Sequence, residues 1–113
     1  MGELKLVVHV PDPQRFEAGL KVSRNFALQM MGKKYDLRIL VNYEGVKVLQ
    51  DFTPFWDLYK EVLNLGGEIF FCETALRSAE ISKEKLPEGA NTVPSGIVAL
   101  AEWQKEGFSY VRA

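Results

Sequence analysis

Residues Leu4 to Val10 read LKLVVHV, and this near-continuous apolar run, rich in valine, decides the fold. A strand with one face in water alternates polar and apolar residues, whereas a strand buried on both faces does not. Parallel sheets bury both faces under helices, so the run predicts a strand of a parallel sheet. Asp12-Pro13 follows it as an N-cap and a first helical proline, which predicts a helix over about residues 13–31.

The rest of the chain continues this alternation of strands and helices. Further elements are predicted as strands over 35–43, 68–72, 91–94 and 108–112 and as helices over 53–65, 74–81 and 96–106. Residues 46–52 stay unassigned, with room for one helical turn, and residues 82–90 are predicted to form a surface loop. Because parallel neighbours require a crossover connection, this order predicts a three-layer α/β/α fold with a mostly parallel sheet of about five strands.

Composition is that of one globular domain spanning residues 1–113, with 47% apolar and 26% charged residues. Fourteen basic and fifteen acidic residues give a net charge of -1, so neither nucleic acid nor a membrane surface is an expected partner. Met1-Gly2-Glu3 leads directly into the first strand pattern without the features of a secretory signal, which predicts a cytoplasmic protein.

Cys72 is the only cysteine of the chain, and His9 is the only histidine. One cysteine excludes an intramolecular disulfide, and the two residues together are too few for an internal zinc site. The sequence also has no G-x-G-x-x-G motif, Walker loop or G-x-S-x-G elbow. Neither a metal nor a cofactor is therefore expected.

Polar or reactive residues follow the predicted strands at the edge where open parallel sheets bind ligands, beyond the carboxyl ends of the strands. These residues are His9, Asn42, Tyr43, Cys72 and Ser95. Asn42 and Ser95 are also typical turn and cap residues. His9 is suited to exchange protons with a thiol, and the alternative is a histidine bonded to the backbone at a strand end.

Cys72 leads the candidates because a helix is predicted to begin directly after it. The partial positive charge of a helix N-terminus stabilises a thiolate, the nucleophilic form of cysteine. The nearby carboxylates of Glu68 and Glu73 oppose that ionisation, so the sign of the net effect stays open. The alternative is a buried thiol that only packs against its neighbours.

The helix predicted over 53–65 has more apolar residues than one stripe can hold. Phe52, Trp56 and Leu63 fall outside the face formed by the other apolar residues of this segment. Covering both sets takes more than one sheet, which favours a contact between subunits.

Taken together, five pieces of the sequence resemble the DsrE/DsrF-like proteins over nearly the whole chain. The pieces are KLVVHV at 5–10, Asn25, NYEGVKVL at 42–49, IFFCETALRSAEI at 69–81 and TVPSGIVALAEWQKEGFSYVR at 92–112.

The resemblance implies a small α/β/α domain that assembles as a homo- or hetero-oligomer and acts in intracellular sulfur relay; a homo-oligomer such as a trimer or hexamer is expected here. It places on Cys72 the role of carrying sulfur as a persulfide between sulfur donor and acceptor proteins. His9, Asn42 and Ser95 lie at matching positions and are possible supporting residues, but the resemblance assigns them no catalytic role. The chain has no second cysteine, so any sulfur must leave to another molecule. The alternative is a non-catalytic module of the same fold, either an oligomeric scaffold or a binder of a small ligand.

Overall fold

Five strands form one sheet in the computed structural model, which describes residues 3–113. The strands are β1 (Leu4–Val10), β2 (Tyr35–Val41), β3 (Glu68–Cys72), β4 (Asn91–Val93) and β5 (Ser109–Arg112). Their order across the sheet is β4-β3-β2-β1-β5, and every neighbouring pair is parallel. The predicted fold class is confirmed. Met1 and Gly2, which are part of the N-terminal segment used to predict a cytoplasmic protein, lie outside the described residues.

Four helices connect these strands: α1 (Phe16–Gln29), α2 (Trp56–Asn64), α3 (Glu73–Ser78) and α4 (Gly96–Lys105). The Asp12 carboxylate accepts from the Gln14 N–H at 2.8 Å, so the predicted cap is confirmed. The cap predicted at Thr53 is wrong, because Thr53 lies inside a 3-10 turn whose N-cap position is Phe52. Of the segment left unassigned, residues 46–50 belong to a longer 3-10 helix, Tyr43–Gln50.

The two faces of the sheet carry different cores, because α1 and α2 pack on one face and α4 packs on the other. The larger core contains Phe16, Tyr59 and Phe71, all fully buried. The smaller core joins Leu100 and Trp103 of α4 to buried side chains of β1 and β2. No helix of residues 3–113 combines the length and the apolar character needed to cross a membrane.

The surplus apolar residues of the 52–63 segment are packed within the chain. Phe52, Trp56 and Leu63 are half-buried against the larger core. The Phe52 ring lies 5.1 Å from the Tyr59 ring and 5.7 Å from the Phe16 ring, measured between centroids. These three residues therefore have partners without a second subunit, and the oligomeric state stays a prediction that other residues must support.

The connection from β4 to β5 positions the site. It crosses from one edge of the sheet to the other, so α4 lies over the central strands and β5 pairs with β1. Ser95 and the first turn of α4 are thereby brought to the carboxyl ends of β2 and β3, beside Asn42 and Cys72.

Candidate functional site

A pocket of about 620 Å³ opens at the carboxyl edge of the sheet, as the strand order requires. Its inner wall includes Asn42, Cys72, Ser95 and Gly96, which follow or end three neighbouring strands. Four of the five residues predicted from the sequence therefore line one pocket, namely Asn42, Tyr43, Cys72 and Ser95. The fifth, His9, is not part of the lining.

Cys72 ends β3 and also occupies the N-cap position of α3. Its sulfur accepts two backbone hydrogen bonds, from the Gly96 N–H at 3.2 Å and from the Ala75 N–H at 3.4 Å. The residue is 6% exposed and lines the pocket. Backbone donors aimed at one atom favour negative charge on that atom, so the geometry suits an anionic sulfur.

The carboxylates that oppose ionisation of the thiol are engaged elsewhere. Glu73 accepts from the Thr92 hydroxyl at 2.7 Å and pairs with the Lys83 ammonium at 3.0 Å, and these two hydrogen bonds lower the pKa of Glu73. Glu68 stands at the opposite end of β3, on the order of 13 Å away along the strand. It is paired there with Arg38 at 3.7 Å. Both carboxylates thus have partners other than the Cys72 sulfur.

Gly96 is the residue that lets α4 approach the sulfur. A Cβ at this position would lie 3.0 Å from the Asn42 Cβ and 3.3 Å from the Cys72 Cβ, which is closer than side chains normally pack. The absence of a side chain therefore allows the first N–H of α4 to reach the sulfur. The sequence predicted Gly96 only as the first residue of a helix, and its contact with the sulfur was not predicted.

His9 bonds to two side chains and not to the backbone. Its Nε2 lies 2.7 Å from Asn42 Oδ1, and its Nδ1 lies 2.6 Å from the Tyr110 hydroxyl. Because Asn42 stands between the imidazole and the pocket, the structure does not bring His9 into contact with the thiol. Both ring nitrogens are thus bonded to side chains, so the predicted bond to the backbone is wrong, and proton exchange with the thiol stays a prediction.

The protonation state of His9 follows from its surroundings. Burial lowers the pKa of His9, the hydrogen bond to Asn42 opposes that effect, and the positive charge of Arg112 adds to the lowering. The imidazole is therefore neutral at neutral pH. An amide oxygen only accepts, so Nε2–H donates to Asn42 and Nδ1 accepts from the Tyr110 hydroxyl.

Asn42 and Ser95 occupy cap positions without using their side chains as caps. Asn42 precedes the 3-10 helix Tyr43–Gln50 and Ser95 precedes α4, yet neither side chain caps its helix. In Asn42 the oxygen that would cap accepts from His9 instead. Both residues thus occupy the predicted cap positions, but neither side chain makes the hydrogen bond of a cap.

Tyr43 lies at the mouth of the pocket in the left-handed backbone region, with φ at 51°. A non-glycine residue pays a conformational cost there, and such residues concentrate at functional sites. Its side chain is 72% exposed.

Among residues 3–113, no group of three or more His, Cys, Asp or Glu side chains is placed to hold a metal ion.

The pKa of His9 makes a testable prediction about stability. Its folded pKa is below the ordinary 6.5, so below that pH the unfolded chain binds more protons than the folded one. We expect the free energy of unfolding to fall as the pH is lowered through 6.5 toward the folded pKa of His9. Glu73 acts in a separate window below 4.5, where its carboxylate protonates.

Urea unfolding of the wild type and of His9→Gln at about pH 8 and about pH 5.5 measures this effect. Lowering the pH should reduce the free energy of unfolding of the wild type more than that of His9→Gln. The difference between the two reductions is the contribution of His9. An equal loss in both proteins would assign the pH dependence to other groups.

Comparisons with known proteins agree with this architecture. A model of the DsrE/DsrF-like family matches residues 5–113, and no curated protein matches the chain. Among solved structures, the protein of unknown function MTH1491 from Methanobacterium thermoautotrophicum superposes with a TM-score of 0.85 at 23% identity, covering 98% of this chain and 100% of that one.

Two further structures share the fold. The conserved protein of unknown function BT1422 from Bacteroides thetaiotaomicron has a TM-score of 0.75 at 20% identity, with 96% of this chain and 94% of that chain covered. The YchN protein of E. coli has a TM-score of 0.67 at 14% identity, with 99% of this chain and 100% of that chain covered. At these identities the likeness concerns the fold.

Proposed function

Because this chain belongs to the DsrE/DsrF-like family, we propose that it is an intracellular sulfur-relay protein in which Cys72 accepts and releases sulfur. The observation that carries the proposal is the pair of backbone donors on the Cys72 sulfur, at 3.2 and 3.4 Å, in the wall of an open pocket. A thiol that merely packs has no need of two N–H donors from two different helices. A nucleophilic sulfur benefits from both.

The chemistry is thiol exchange at a sulfane sulfur. The Cys72 thiolate attacks the outer sulfur of a donor persulfide, and a bond forms between the two sulfurs. The sulfur–sulfur bond of the donor breaks, and the donor leaves as a thiolate while the transferred sulfur keeps its proton. An acceptor thiolate then attacks the outer sulfur of Cys72-S-SH, which regenerates the Cys72 thiolate without any oxidant or reductant.

Sulfur donor and acceptor proteins are the partners that this mechanism requires. With a single cysteine in the chain, the persulfide cannot resolve into an internal disulfide. The mouth of the pocket offers a surface for such partners, since the apolar side chains of Tyr43 and Ile97 are exposed there. A reducing compartment keeps the thiol free, which is consistent with the predicted cytoplasmic location.

Assembly as a homo-oligomer, such as a trimer or hexamer, is part of the same proposal. Exposed apolar residues on α4 and the edge strand β5 support it, namely Ile97, Val98, Tyr110 and Val111. Sedimentation velocity should then show a species larger than a monomer. The variant Val98→Lys, which places a charge on that surface, should shift it toward the monomer. A wild type that sediments as a monomer at micromolar concentration would contradict the assembly without affecting the chemistry.

Binding of a small ligand without catalysis is the second candidate, and the pocket volume favours it. About 620 Å³ lies in the range of small-molecule sites. The two candidates differ in one measurement, the intact mass of the protein after incubation with a persulfide donor. A carrier gains the mass of one sulfur atom and loses it again when an acceptor thiol is added. A protein that gains no sulfur supports the second candidate.

A further inference from the structure

We propose that the Asn42 side-chain amide donates a hydrogen bond to the outer sulfur carried by Cys72, and that His9 and Tyr110 hold the amide in the orientation that allows it. This inference rests on the sulfur-carrier function proposed above. It makes Asn42 a residue that touches the reacting sulfur and makes His9 and Tyr110 positioning residues.

Three hydrogen-bonded side chains lead from the edge of the sheet to the pocket. Tyr110 of β5 bonds to His9 of β1 at 2.6 Å, and His9 bonds to Asn42 at the end of β2 at 2.7 Å. Parallel pairing of these strands brings the three side chains together. The Asn42 oxygen faces Nε2, so the neutral ring donates its Nε2–H to Oδ1 and its Nδ1 accepts from the Tyr110 hydroxyl.

The other end of the amide lies beside the first residue of α4. With Oδ1 held by His9, Nδ2 lies 3.1 Å from the position that a Cβ on Gly96 would occupy. The Gly96 N–H itself donates to the Cys72 sulfur at 3.2 Å. Within residues 3–113, Nδ2 donates to no protein acceptor and is not among the buried atoms that lack a partner, so it is accessible from the pocket that Asn42 lines.

Local geometry shows that this orientation has a cost. Asparagine is among the best helix N-caps, and here its oxygen does not cap. The next residue, Tyr43, is held at a φ of 51°. Residues whose conformation departs from their local preference are expected at functional sites, where binding or catalysis determines the conformation.

A donor at this place stabilises the charge that sulfur transfer creates. When the Cys72 thiolate attacks the outer sulfur of a donor persulfide, its negative charge spreads across the transferred sulfur to the inner sulfur of the donor, which leaves as a thiolate as the S–S bond of the donor breaks. The transferred sulfur becomes the outer atom of Cys72-S-SH and keeps its proton. The Cys72 sulfur has the Gly96 and Ala75 N–H groups, whereas the outer sulfur lies one bond further into the pocket. The Asn42 amide, next to the Gly96 N–H that holds the Cys72 sulfur, is placed to donate to that outer sulfur.

The first test is the rate of sulfur uptake by Asn42 variants, measured by rapid quench and intact mass at saturating persulfide donor. Loss of one donor to a developing charge lowers such rates by about tenfold or more. Asn42→Ala should therefore lower the maximal rate at least about tenfold with a smaller change in the donor concentration for half-maximal rate. Asn42→Asp should be slower still, because a carboxylate repels an anionic sulfur.

The second test separates positioning by His9 from general support of the fold. His9→Leu removes the Nε2–H that holds Asn42 Oδ1, so the amide is free to turn its NH₂ away from the pocket and the maximal uptake rate should fall. Because His9 acts through the amide, the double variant His9→Leu/Asn42→Ala should be no slower than Asn42→Ala alone. His9→Gln, whose side-chain NH₂ can donate to Oδ1, should recover part of the rate.

Tyr110→Phe removes the partner of His9 Nδ1, so it should slow uptake less than His9→Leu and should likewise add nothing to the loss in Asn42→Ala. Additive losses in the double variants, or an Asn42→Ala protein with the maximal rate of the wild type, would overturn the inference and leave the carrier role of Cys72 intact. Failure of the wild type itself to take up sulfur would overturn the proposed function.

Discussion

Sulfur uptake is expected to disappear completely in Cys72→Ser. Serine keeps an atom that can accept from the Gly96 and Ala75 N–H groups, and it is a better N-cap than cysteine, so the start of α3 is retained. Its hydroxyl stays protonated at neutral pH and does not attack a persulfide. Intact mass after incubation with a persulfide donor should show no added sulfur in this variant and one added sulfur in the wild type.

A matched control for this variant is Ser109→Ala, which changes an exposed serine of β5 that lies outside the pocket lining. It should take up sulfur at the rate of the wild type. Thermal melting of all three proteins verifies that they are folded. Persistence of a sulfur adduct in Cys72→Ser would refute Cys72 as the acceptor, since the chain contains no other cysteine.

Gly45→Ala is expected to give the largest loss of stability among the glycine substitutions. A Cβ on Gly45 would lie inside contact distance of the Val10 carbonyl oxygen, and 3.1 Å from a methyl of Val41. Both neighbours belong to the paired strands β1 and β2, so neither can move aside cheaply. Overpacking against such a rigid partner costs about 3 kcal/mol of unfolding free energy.

Urea denaturation measures this loss, and Gly32→Ala provides the comparison. Gly32 has φ at +83° and nothing within 4 Å of the position that a Cβ would occupy, so its substitution tests backbone strain without a close contact. It should cost about 1 kcal/mol. If the two variants are equally destabilised, close approach to Val10 is not the reason for glycine at position 45.

The elements of this fold were predictable because their signals are local. The valine-rich run at Leu4–Val10 and the Asp12 cap each depend on residues that are neighbours in sequence, and both are where they were predicted. Thr53-Pro54 has the same local signal as Asp12-Pro13, yet it begins inside a 3-10 turn because Phe52 is drawn into the aromatic core. Tertiary packing overrode the cap preference there.

The site was predictable only in part, for a related reason. Cys72 and Asn42 were found because each follows a strand in sequence. The roles of Gly96 and Tyr110 depend on the crossover that carries α4 over the sheet and sets β5 beside β1. Strand order has no local signal, so no residue pattern connected Tyr110 with His9.

The pairing of β1 with β5 determines when the site can form during synthesis on the ribosome. His9 and Tyr110 are 101 positions apart, and the Gly96 N–H reaches a sulfur 24 positions earlier in the chain. Domains form their long-range contacts late in synthesis, when the last strand has emerged. Until then Cys72 lacks its α4 donor and the imidazole lacks its hydroxyl partner. The nascent chain therefore carries a thiol that is not yet equipped for sulfur transfer.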